Sequence, residues 1–290
     1  MKKRILFIIN PISGQKKGPA ISNAISESDI YEAFDTEIAF TERRGHATEL
    51  ASNAAKSGFE VVVAVGGDGT VNEIAKGLLG TNTSLGIIPA GSGNGLARHM
   101  NYPSDAVKAI QKIKKGSSGK IDTMDINGRL SINVSGFGFD GYVAWLFDQS
   151  GRRGLSGYTR IALKEYARYP AVEFEMTLDE KPISGSAHMV VLANASQFGN
   201  AAVIAPMADL NDGLLDVIVV KKPPFYLMPR LLYRLFTGTL KSDHYNTMYQ
   251  CKSLQINSRQ PVHLHIDGEP NPPVTTVNCT IKPQSLNVWG

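Results

Sequence analysis

A glycine-rich turn around a single aspartate is the stretch whose residue types are best suited to chemistry. The apolar run over residues 61–65 leads directly into this turn, and a helical pattern follows it. A strand, turn and helix in this order point several backbone N–H groups into one concavity, which suits a phosphate. A carboxylate there repels phosphate unless a divalent cation lies between them, so the turn predicts a metal–nucleotide site. Its residues are Gly66, Gly67, Asp68, Gly69 and Thr70.

The same residues also have a purely structural interpretation. Gly-Asp-Gly is common in turns, and Thr70 with Glu73 fits the Ser/Thr-x-x-Glu capping box that begins many helices. Both interpretations can hold, because a capped helix N-terminus is also what a phosphate site requires. Short motifs carry false positives, so a second unit of the same kind is needed to favour the functional interpretation.

Two further loops of similar composition supply that support. The apolar run over residues 84–88 is followed by a loop over 89–95, and the run over 4–9 is followed by a loop over 10–18. A right-handed crossover through the helix predicted at 70–80 places the two central loops at one carboxyl edge of a parallel sheet. Ligands bind outside that edge, and the three loops together therefore predict a nucleotide site.

Two neighbouring carboxylates near the C-terminus are candidates for proton transfer. A predicted strand ends at Ile266, and Asp267-Gly268-Glu269 follows it. Without other context this is a charged hairpin turn. Phosphoryl transfer to an alcohol needs a carboxylate that accepts the hydroxyl proton, and this turn offers two.

The pattern of apolar residues changes near residues 122–127. Before this point strands and helices alternate, which is typical of a doubly wound α/β domain, and beyond it short strands predict a mainly antiparallel β-sandwich. We therefore predict domains over residues 1–122 and 123–284, with a last strand over 285–290 that returns to the first domain. The predicted strands lie at 4–9, 35–40, 61–65, 84–88, 130–135, 172–179, 186–195, 214–221, 252–257, 262–266 and 274–281, and the helices at 19–27, 45–57, 70–80, 93–100, 104–115, 154–169 and 225–236.

Composition excludes several classes of protein. The 290 residues include 30 basic and 26 acidic side chains, and a net charge of +4 is far from a nucleic-acid-binding profile. The two cysteines, Cys251 and Cys279, have no paired spacing, which favours a reduced, cytoplasmic compartment. We predict neither a signal peptide nor a membrane-spanning segment, because the apolar N-terminal run breaks at Asn10-Pro11 and is too short.

A series of motifs along nearly the whole chain resembles the diacylglycerol kinase catalytic domain family, which includes sphingosine and ceramide kinases and the bacterial soluble lipid kinases. The motifs are Asn10-Pro11-Ile12-Ser13-Gly14, Thr41 with Gly45-His46-Ala47, Gly66–Glu73, Pro89–Asn94, Gly136–Asp140, Asn211–Asp216 and His265–Glu269. The resemblance implies an ATP-dependent lipid kinase with an N-terminal domain like those of NAD kinase and phosphofructokinase.

The resemblance also implies roles for particular residues. ATP is expected to bind Asn10, Pro11, Ser13, Gly14, Thr41, Ser92 and the turn Gly66–Thr70, with Asp68 organising a catalytic Mg²⁺ ion. Glu269 matches the family's general base, and Asp267 is a supporting carboxylate or the alternate base. A structural Mg²⁺ ion is expected on the carboxylate of Asp212 and the carbonyl oxygens of Asp209 and Leu214.

One departure leaves the acceptor lipid open. Bacterial diacylglycerol kinases usually have Asn-Asp where this chain has Asn94-Gly95, and the sphingosine and ceramide kinases have a small residue there. The acceptor is therefore a diacylglycerol-like or a sphingoid lipid. Two alternatives remain: a nucleotide- or lipid-binding regulator without turnover, and a small-molecule kinase of the NAD kinase type.

A soluble chain that acts on a lipid must visit the membrane surface. We therefore expect a cytoplasmic protein that is peripheral at the inner membrane face, with a lipid substrate and no nucleic acid, while a homodimer stays open. The helix over 225–236 has an apolar stripe at 227, 228, 231, 232, 235 and 236, opposite Arg230 and Arg234. Packing on the sandwich is the first interpretation of this stripe, and an interfacial helix or lid is the second.

Overall fold

The computed structural model describes residues 2–151 and 154–290. Its contacts divide the chain into two units. The first runs to Ile121 and also takes in Gln284–Gly290, and the second is Asp122–Pro283.

The first unit alternates strands and helices, as the sequence predicts. Its strands are β1 (Lys3–Ile9), β2 (Phe34–Phe40), β3 (Val61–Gly66) and β4 (Ser84–Pro89), and its helices are α1 (Ser13–Lys16), α2 (Gly18–Ser26), α3 (Ile30–Ala33), α4 (His46–Lys56), α5 (Asp68–Leu78), α6 (Gly95–His99) and α7 (Ala106–Lys115). The α/β prediction for this part of the chain is confirmed.

The strands of the first unit form a parallel sheet in the order β2-β1-β3-β4. Every residue of β3 and of β4 is buried. A strand that is covered on both faces has an unbroken run of apolar residues, whereas a strand covered on one face alternates apolar and polar residues. This explains the run of β-branched residues in β3. The register brings Gly66 beside Pro89, so the two central glycine loops leave the same edge of the sheet.

The C-terminal residues complete the sheet of the first unit. Val288 pairs in parallel with Leu85 of β4. Trp289 is buried, its indole N–H donates to the Ile113 carbonyl oxygen at 2.9 Å, and its ring meets Phe34 edge to face at 6.0 Å. This anchoring gives the end of the chain a structural role in the first unit.

The second unit is rich in strands. These are β5 (Ser118–Ile126), which begins before the boundary, β6 (Arg129–Ser131), β7 (Val134–Gly138), β8 (Val172–Leu178), β9 (Lys181–Ala187), β10 (Met189–Ala193), β11 (Leu215–Val220), β12 (Asn246–Cys251), β13 (Ser253–Ile266) and β14 (Glu269–Trp289). The helices are α8 (Phe139–Gln149), α9 (Leu155–Tyr166) and α10 (Met228–Thr237), the last preceded by a 3-10 turn over Phe225–Leu227.

Antiparallel pairing links β12, β11, β10, β7, β13 and β14 in that order, and the β8–β9 hairpin extends from β13. One face of these strands packs into a large apolar cluster that includes Phe137, Leu192, Val217 and Ile256. A smaller cluster on Val191 and Ile218 lies beneath α10. The β-rich prediction for this part of the chain is confirmed.

Several predicted elements of the second unit are wrong in detail. The sequence over 252–266 forms one strand with irregular pairing near Val262, not two, and the strand expected over 130–135 is divided into β6 and β7. Strands β5, β9 and β12 and helix α8 are not among the predictions. Helix α8 is rich in aromatic residues, which are poor helix formers, and these residues suggest a core strand more readily than a helix.

Among residues 2–151 and 154–290, no helix has the length and apolar character needed to cross a bilayer.

We expect Trp289→Ala to lower the free energy of unfolding of the first unit by about 3 kcal/mol, because it removes a buried ring and a hydrogen bond. Trp289→Phe keeps most of the apolar contact and should cost roughly 1 kcal/mol. Urea unfolding of the two variants measures both values. Unchanged stability of Trp289→Ala would show that the C-terminal residues do not hold this unit together.

Candidate functional site

The glycine loops at the edge of the first sheet pack backbone against backbone. A Cβ atom built on Gly91 would lie 2.5 Å from the Gly67 Cα, and one built on Gly14 would overlap the Ala90 carbonyl oxygen. Side chains at these positions would push the loops apart. The glycines are therefore required by close approach, and the result is a concave edge made mainly of backbone.

The Asp68 carboxylate ties the loop after β3 to the loop after β4. Its two oxygens accept hydrogen bonds from the backbone N–H groups of Asn94, at 2.8 Å, and Gly95, at 2.7 Å. Asn94 adopts the left-handed conformation at φ +52°, and its side-chain amide exchanges two hydrogen bonds with the backbone of Gly91. The aspartate that breaks the glycine turn is thus the link that fixes the neighbouring loop.

The loop after β1 joins the same edge through Asn10. Its side-chain amide donates to the Thr70 hydroxyl oxygen at 3.2 Å, while its backbone N–H donates to the Val65 carbonyl oxygen at 3.0 Å. The Thr41 N–H donates to the Ile9 carbonyl oxygen at 2.9 Å, which places Thr41 at the end of the neighbouring strand β2. Pro11 follows Asn10, Ser13 and Gly14 begin the short helix α1, and Ser92 is exposed in the loop after β4. The structure therefore brings all the predicted nucleotide-binding residues to one edge.

The predicted capping box of Thr70 and Glu73 is wrong. Helix α5 begins at Asp68, so Thr70 lies inside its first turn and not at its N-cap. The Glu73 carboxylate accepts from the backbone N–H groups of Gly45, at 2.9 Å, and Ala47, at 3.3 Å. Glu73 thus binds the start of helix α4 and stabilises a neighbouring helix in place of its own.

The acidic turn between β13 and β14 is a two-residue hairpin. Asp267 and Gly268 have φ of +50° and +83°, and Ile266 pairs with Glu269 across the turn. Asp-Gly is a favoured pair for such a turn, because both central residues need positive φ. Glu269 is partly exposed where β14 begins.

Asp267 fastens this hairpin to the chain between β6 and β7. Only 9 % of the residue is exposed. Its carboxylate accepts from the Ser131 hydroxyl at 2.6 Å and from the N–H groups of Ile132, at 2.8 Å, and Asn133, at 3.0 Å. A carboxylate held by three donors is suited to positioning the turn. This agrees with the supporting role expected for Asp267, and the catalytic roles of both acids stay predictions.

A buried pair behind the hairpin received no role from the sequence. His265 Nε2 lies 3.4 Å from the Asp140 carboxylate, and His265 Nδ1 accepts from the Gly268 N–H at 3.1 Å. A Cβ on Gly136 would overlap that carboxylate, so Gly136 makes room for it. Both residues lie in family motifs, but 125 positions separate them, and local spacing could not pair them.

The predicted structural metal site lies on the turn before β11. The Asp212 carboxylate accepts from the Leu214 N–H at 2.9 Å, and the carboxylate of buried Asp122 accepts from the Gly213 N–H at 2.7 Å. Burial and the nearby charge of Asp212 raise the pKa of Asp216 to about 6. Among the residues that the structure describes, no group of three or more His, Cys, Asp or Glu side chains is arranged to hold a metal. Magnesium on this turn stays a prediction.

Comparisons with known proteins agree with this architecture. A family model described as the diacylglycerol kinase catalytic domain matches residues 4–126, and one described as the YegS C-terminal NAD kinase beta sandwich-like domain matches residues 133–290. The chain is 28% identical to the diacylglycerol kinase of Bacillus subtilis (strain 168) over 278 residues, which is 92% of this chain and 90% of that protein. It is also 28% identical to the diacylglycerol kinase of Staphylococcus saprophyticus over 275 residues, 93% of this chain and 90% of that protein.

Solved structures show the same fold. A crystal structure of a diacylglycerol kinase from Bacillus anthracis str. Sterne superposes with a TM-score of 0.78 at 21% identity and covers 99% of this chain and 96% of that one. Another solved chain from the same organism gives a TM-score of 0.81 at 23% identity, again over 99% and 96%.

An N-terminal kinase domain followed by a β-sandwich-like domain defines a class of two-domain kinases, and the second match alone covers more than half of this chain. The chain belongs to the diacylglycerol kinase family, as its motifs predict. It is a lipid kinase, and membership in this kinase family implies ATP as its substrate. The comparisons favour the enzyme over the non-catalytic regulator.

We expect Asp68→Asn to loosen the loop after β4. An asparagine has one acceptor oxygen, so one of the two backbone N–H groups would face the side-chain NH₂ group, at a cost of about 1–3 kcal/mol. Hydrogen exchange at the amides of Asn94 and Gly95 should become faster. Asp105→Asn is the matched control, because Asp105 accepts one backbone N–H at the start of α7 and asparagine caps helices equally well. Equal exchange in wild type and Asp68→Asn would contradict this role of Asp68.

Proposed function

We propose that this kinase transfers the γ-phosphate of ATP to a hydroxyl group of a diacylglycerol-like lipid. The observation that carries the proposal is the backbone-lined edge that Asp68 holds together, with Gly67 and Gly91 in direct contact. The choice of lipid is supported by relatives named diacylglycerol kinases, whose alignments cover more than nine-tenths of this chain at 28% identity.

The proposed nucleotide site is the edge formed by the loops after β1, β3 and β4. Asn10, Pro11, Ser13 and Gly14 form its first side, and Gly66–Thr70 form the cradle. Thr41 and Ser92 add hydroxyl groups. Backbone N–H groups at the start of α5, together with that helix's dipole, favour an anionic ligand. The absence of Cβ atoms from the glycines lets phosphate oxygens approach the chain closely.

A divalent cation fits the chemistry of this edge. Carboxylate oxygens are ligands that Mg²⁺ prefers, and the Asp68 carboxylate lies at this edge against the backbone N–H groups of Asn94 and Gly95. Mg²⁺ bound there would neutralise charge on the ATP phosphates. Asp68 is our proposed ligand, and this is the catalytic contribution that we assign to it.

Glu269 is the proposed general base. The lipid hydroxyl proton passes to its carboxylate as the hydroxyl oxygen bonds to the γ-phosphorus. The bond from that phosphorus to the bridging oxygen breaks, and ADP leaves. Asp267 positions the hairpin through its three donors and is the alternate base. His265 supports the same turn by accepting the Gly268 N–H.

The lipid acceptor implies a place of action. Diacylglycerols lie in membranes, so we propose that the protein is cytoplasmic and makes transient contact with the inner membrane face to reach its substrate. Incubation with labelled ATP, magnesium and a panel of lipids tests the acceptor. The panel contains diacylglycerol, monoacylglycerol, a sphingoid base, ceramide and phosphatidylglycerol. We expect label in diacylglycerol, whereas label in the sphingoid base or in added NAD would assign a different acceptor.

We expect Glu269→Gln to lower kcat by about two to four orders of magnitude with ATP affinity nearly unchanged, because the amide cannot accept the proton. The matched control is Glu180→Gln, which changes a carboxylate in the β8–β9 hairpin of the same unit. Steady-state kinetics on diacylglycerol, with ATP binding measured separately, gives both values. Full activity of Glu269→Gln would move the role of base to Asp267 or Asp68.

We also propose that Mg²⁺ binds the turn before β11 through the Asp212 carboxylate and the carbonyl oxygens of Asp209 and Leu214. A cation would relieve the repulsion between Asp212 and buried Asp216. Millimolar Mg²⁺ should therefore raise Tm by about 2–4 °C in the wild type. Asp212→Asn should abolish most of this rise, while Asp209→Asn should keep it, because Asp209 contributes only a backbone oxygen. An equal rise in all three proteins would place the ion elsewhere.

A further inference from the structure

Helix α10 packs on the second unit through only one of its sides. Leu231 and Leu235 contact the apolar cluster of Val191 and Ile218, as the packing interpretation of the stripe predicts. The interpretation is wrong for Leu232 and Phe236, which belong to the same stripe and are 42% and 50% exposed. A second set of large apolar residues, on the opposite side of α10 and in the 3-10 turn before it, is exposed. We call this set the α10 face; its members are Phe225, Tyr226, Leu232, Tyr233 and Phe236, and their exposed fractions run from 42% to 77%.

An exposed apolar set of this size on a soluble protein indicates an interaction surface. Two of the five residues are tyrosines, whose amphipathic rings suit the level of lipid headgroups. The helix is thus apolar on both sides, and only one side is used by the fold. The α10 face therefore fits a partner with a polar outer layer and an apolar interior.

The chain segment that carries the α10 face, residues 217–242, has charged residues of one sign only. Between Asp216 and Asp243 the sequence has no acidic residue, and it has five basic ones: Lys221, Lys222, Arg230, Arg234 and Lys241. Asp243 is itself bound by Arg234 at 2.6 Å. An aromatic face rimmed by basic residues complements an anionic lipid surface.

A groove of about 180 Å³ runs beside the helix. Arg230 and His244 line it together with the Arg234–Asp243 pair, and Leu227 and Leu231 form its apolar wall. Arg234 is occupied by Asp243, and the guanidinium group of Arg230 beside the apolar wall suits a phosphate that carries hydrocarbon chains. The groove and the α10 face therefore point to the same chemical class of partner.

A second copy of this chain is the competing occupant. A two-fold dimer through the α10 face would be isologous and would set the same basic residues near one another. Like charges brought together in this way oppose association, whereas anionic headgroups do not. Charge complementarity thus favours the membrane.

We propose that the α10 face, with the basic groove beside it, is the surface on which this chain docks onto anionic phospholipid membranes. The inference rests on the proposed function, because a lipid kinase must reach a substrate held in a bilayer. The outward aromatic residues enter the headgroup layer, and Arg230 binds lipid phosphate.

Vesicle flotation tests the proposal with the whole 290-residue chain. The probes are vesicles of phosphatidylcholine alone and of phosphatidylcholine mixed with phosphatidylglycerol. The variants are Tyr233→Ser combined with Phe236→Ser, and separately Arg230→Glu. The matched controls are Val107→Ser and Lys108→Glu on helix α7 of the first unit, where Val107 is 59% exposed and Lys108 is also exposed.

We expect the wild type to bind the anionic vesicles more tightly than the neutral ones, with binding that weakens as salt rises. The double variant and Arg230→Glu should each lower the partition coefficient by about tenfold, and the α7 controls should leave it within about twofold. Equal losses in the α7 controls, or no loss in the α10 variants, would overturn the proposal. So would a dimer in solution that the double variant converts to monomer with vesicle binding unchanged.

Activity on a short-chain diacylglycerol dispersed as monomers separates this inference from the proposed function. The double variant should phosphorylate that substrate at the wild-type rate and lose activity only on substrate in vesicles. If the wild-type protein phosphorylates the monomeric substrate but does not bind vesicles, the docking surface is overturned and the proposed function stands. Vesicle binding through the α10 face without turnover of any lipid would overturn the proposed function and leave the docking surface.

Discussion

The two hydrogen bonds from the loop after β4 to the Asp68 carboxylate are the constraint on which the first unit's edge depends. They cross from one glycine loop to the next and hold Gly67 and Gly91 at a distance that only residues without side chains allow. This use explains why an acidic residue lies within a loop that we propose to bind phosphate. The carboxylate is partly neutralised by the N–H donors that it positions.

The second unit uses an aspartate beside a glycine in a similar way. Asp267 accepts three hydrogen bonds from residues 131–133 and fixes the hairpin that carries Glu269. In both motifs the aspartate carboxylate therefore holds neighbouring backbone segments together by accepting their hydrogen bonds. This division supports our proposal that Glu269, which is partly exposed at the start of β14, accepts the proton while Asp267 holds the hairpin in place.

The elements that were predictable from the sequence are those whose signal is local. The β-branched run of β3 and the glycines that follow it indicate a buried strand and a loop without further information. Long-range choices were not predictable. Glu73 binds the start of α4 in place of its own helix, and the pairing of His265 with Asp140 depends on how β13 lies beside β7. Helix α8 is set by tertiary packing that overrides its aromatic composition.

The central claim is that the loops after β1, β3 and β4 together bind the phosphates of ATP. Amide NMR of the labelled protein, titrated with a non-hydrolysable ATP analogue and Mg²⁺, tests it most directly. We expect the largest chemical-shift changes on the backbone amides of residues 12–14, 67–70 and 91–95. Saturable binding that leaves these amides unshifted and perturbs another part of the chain would contradict it.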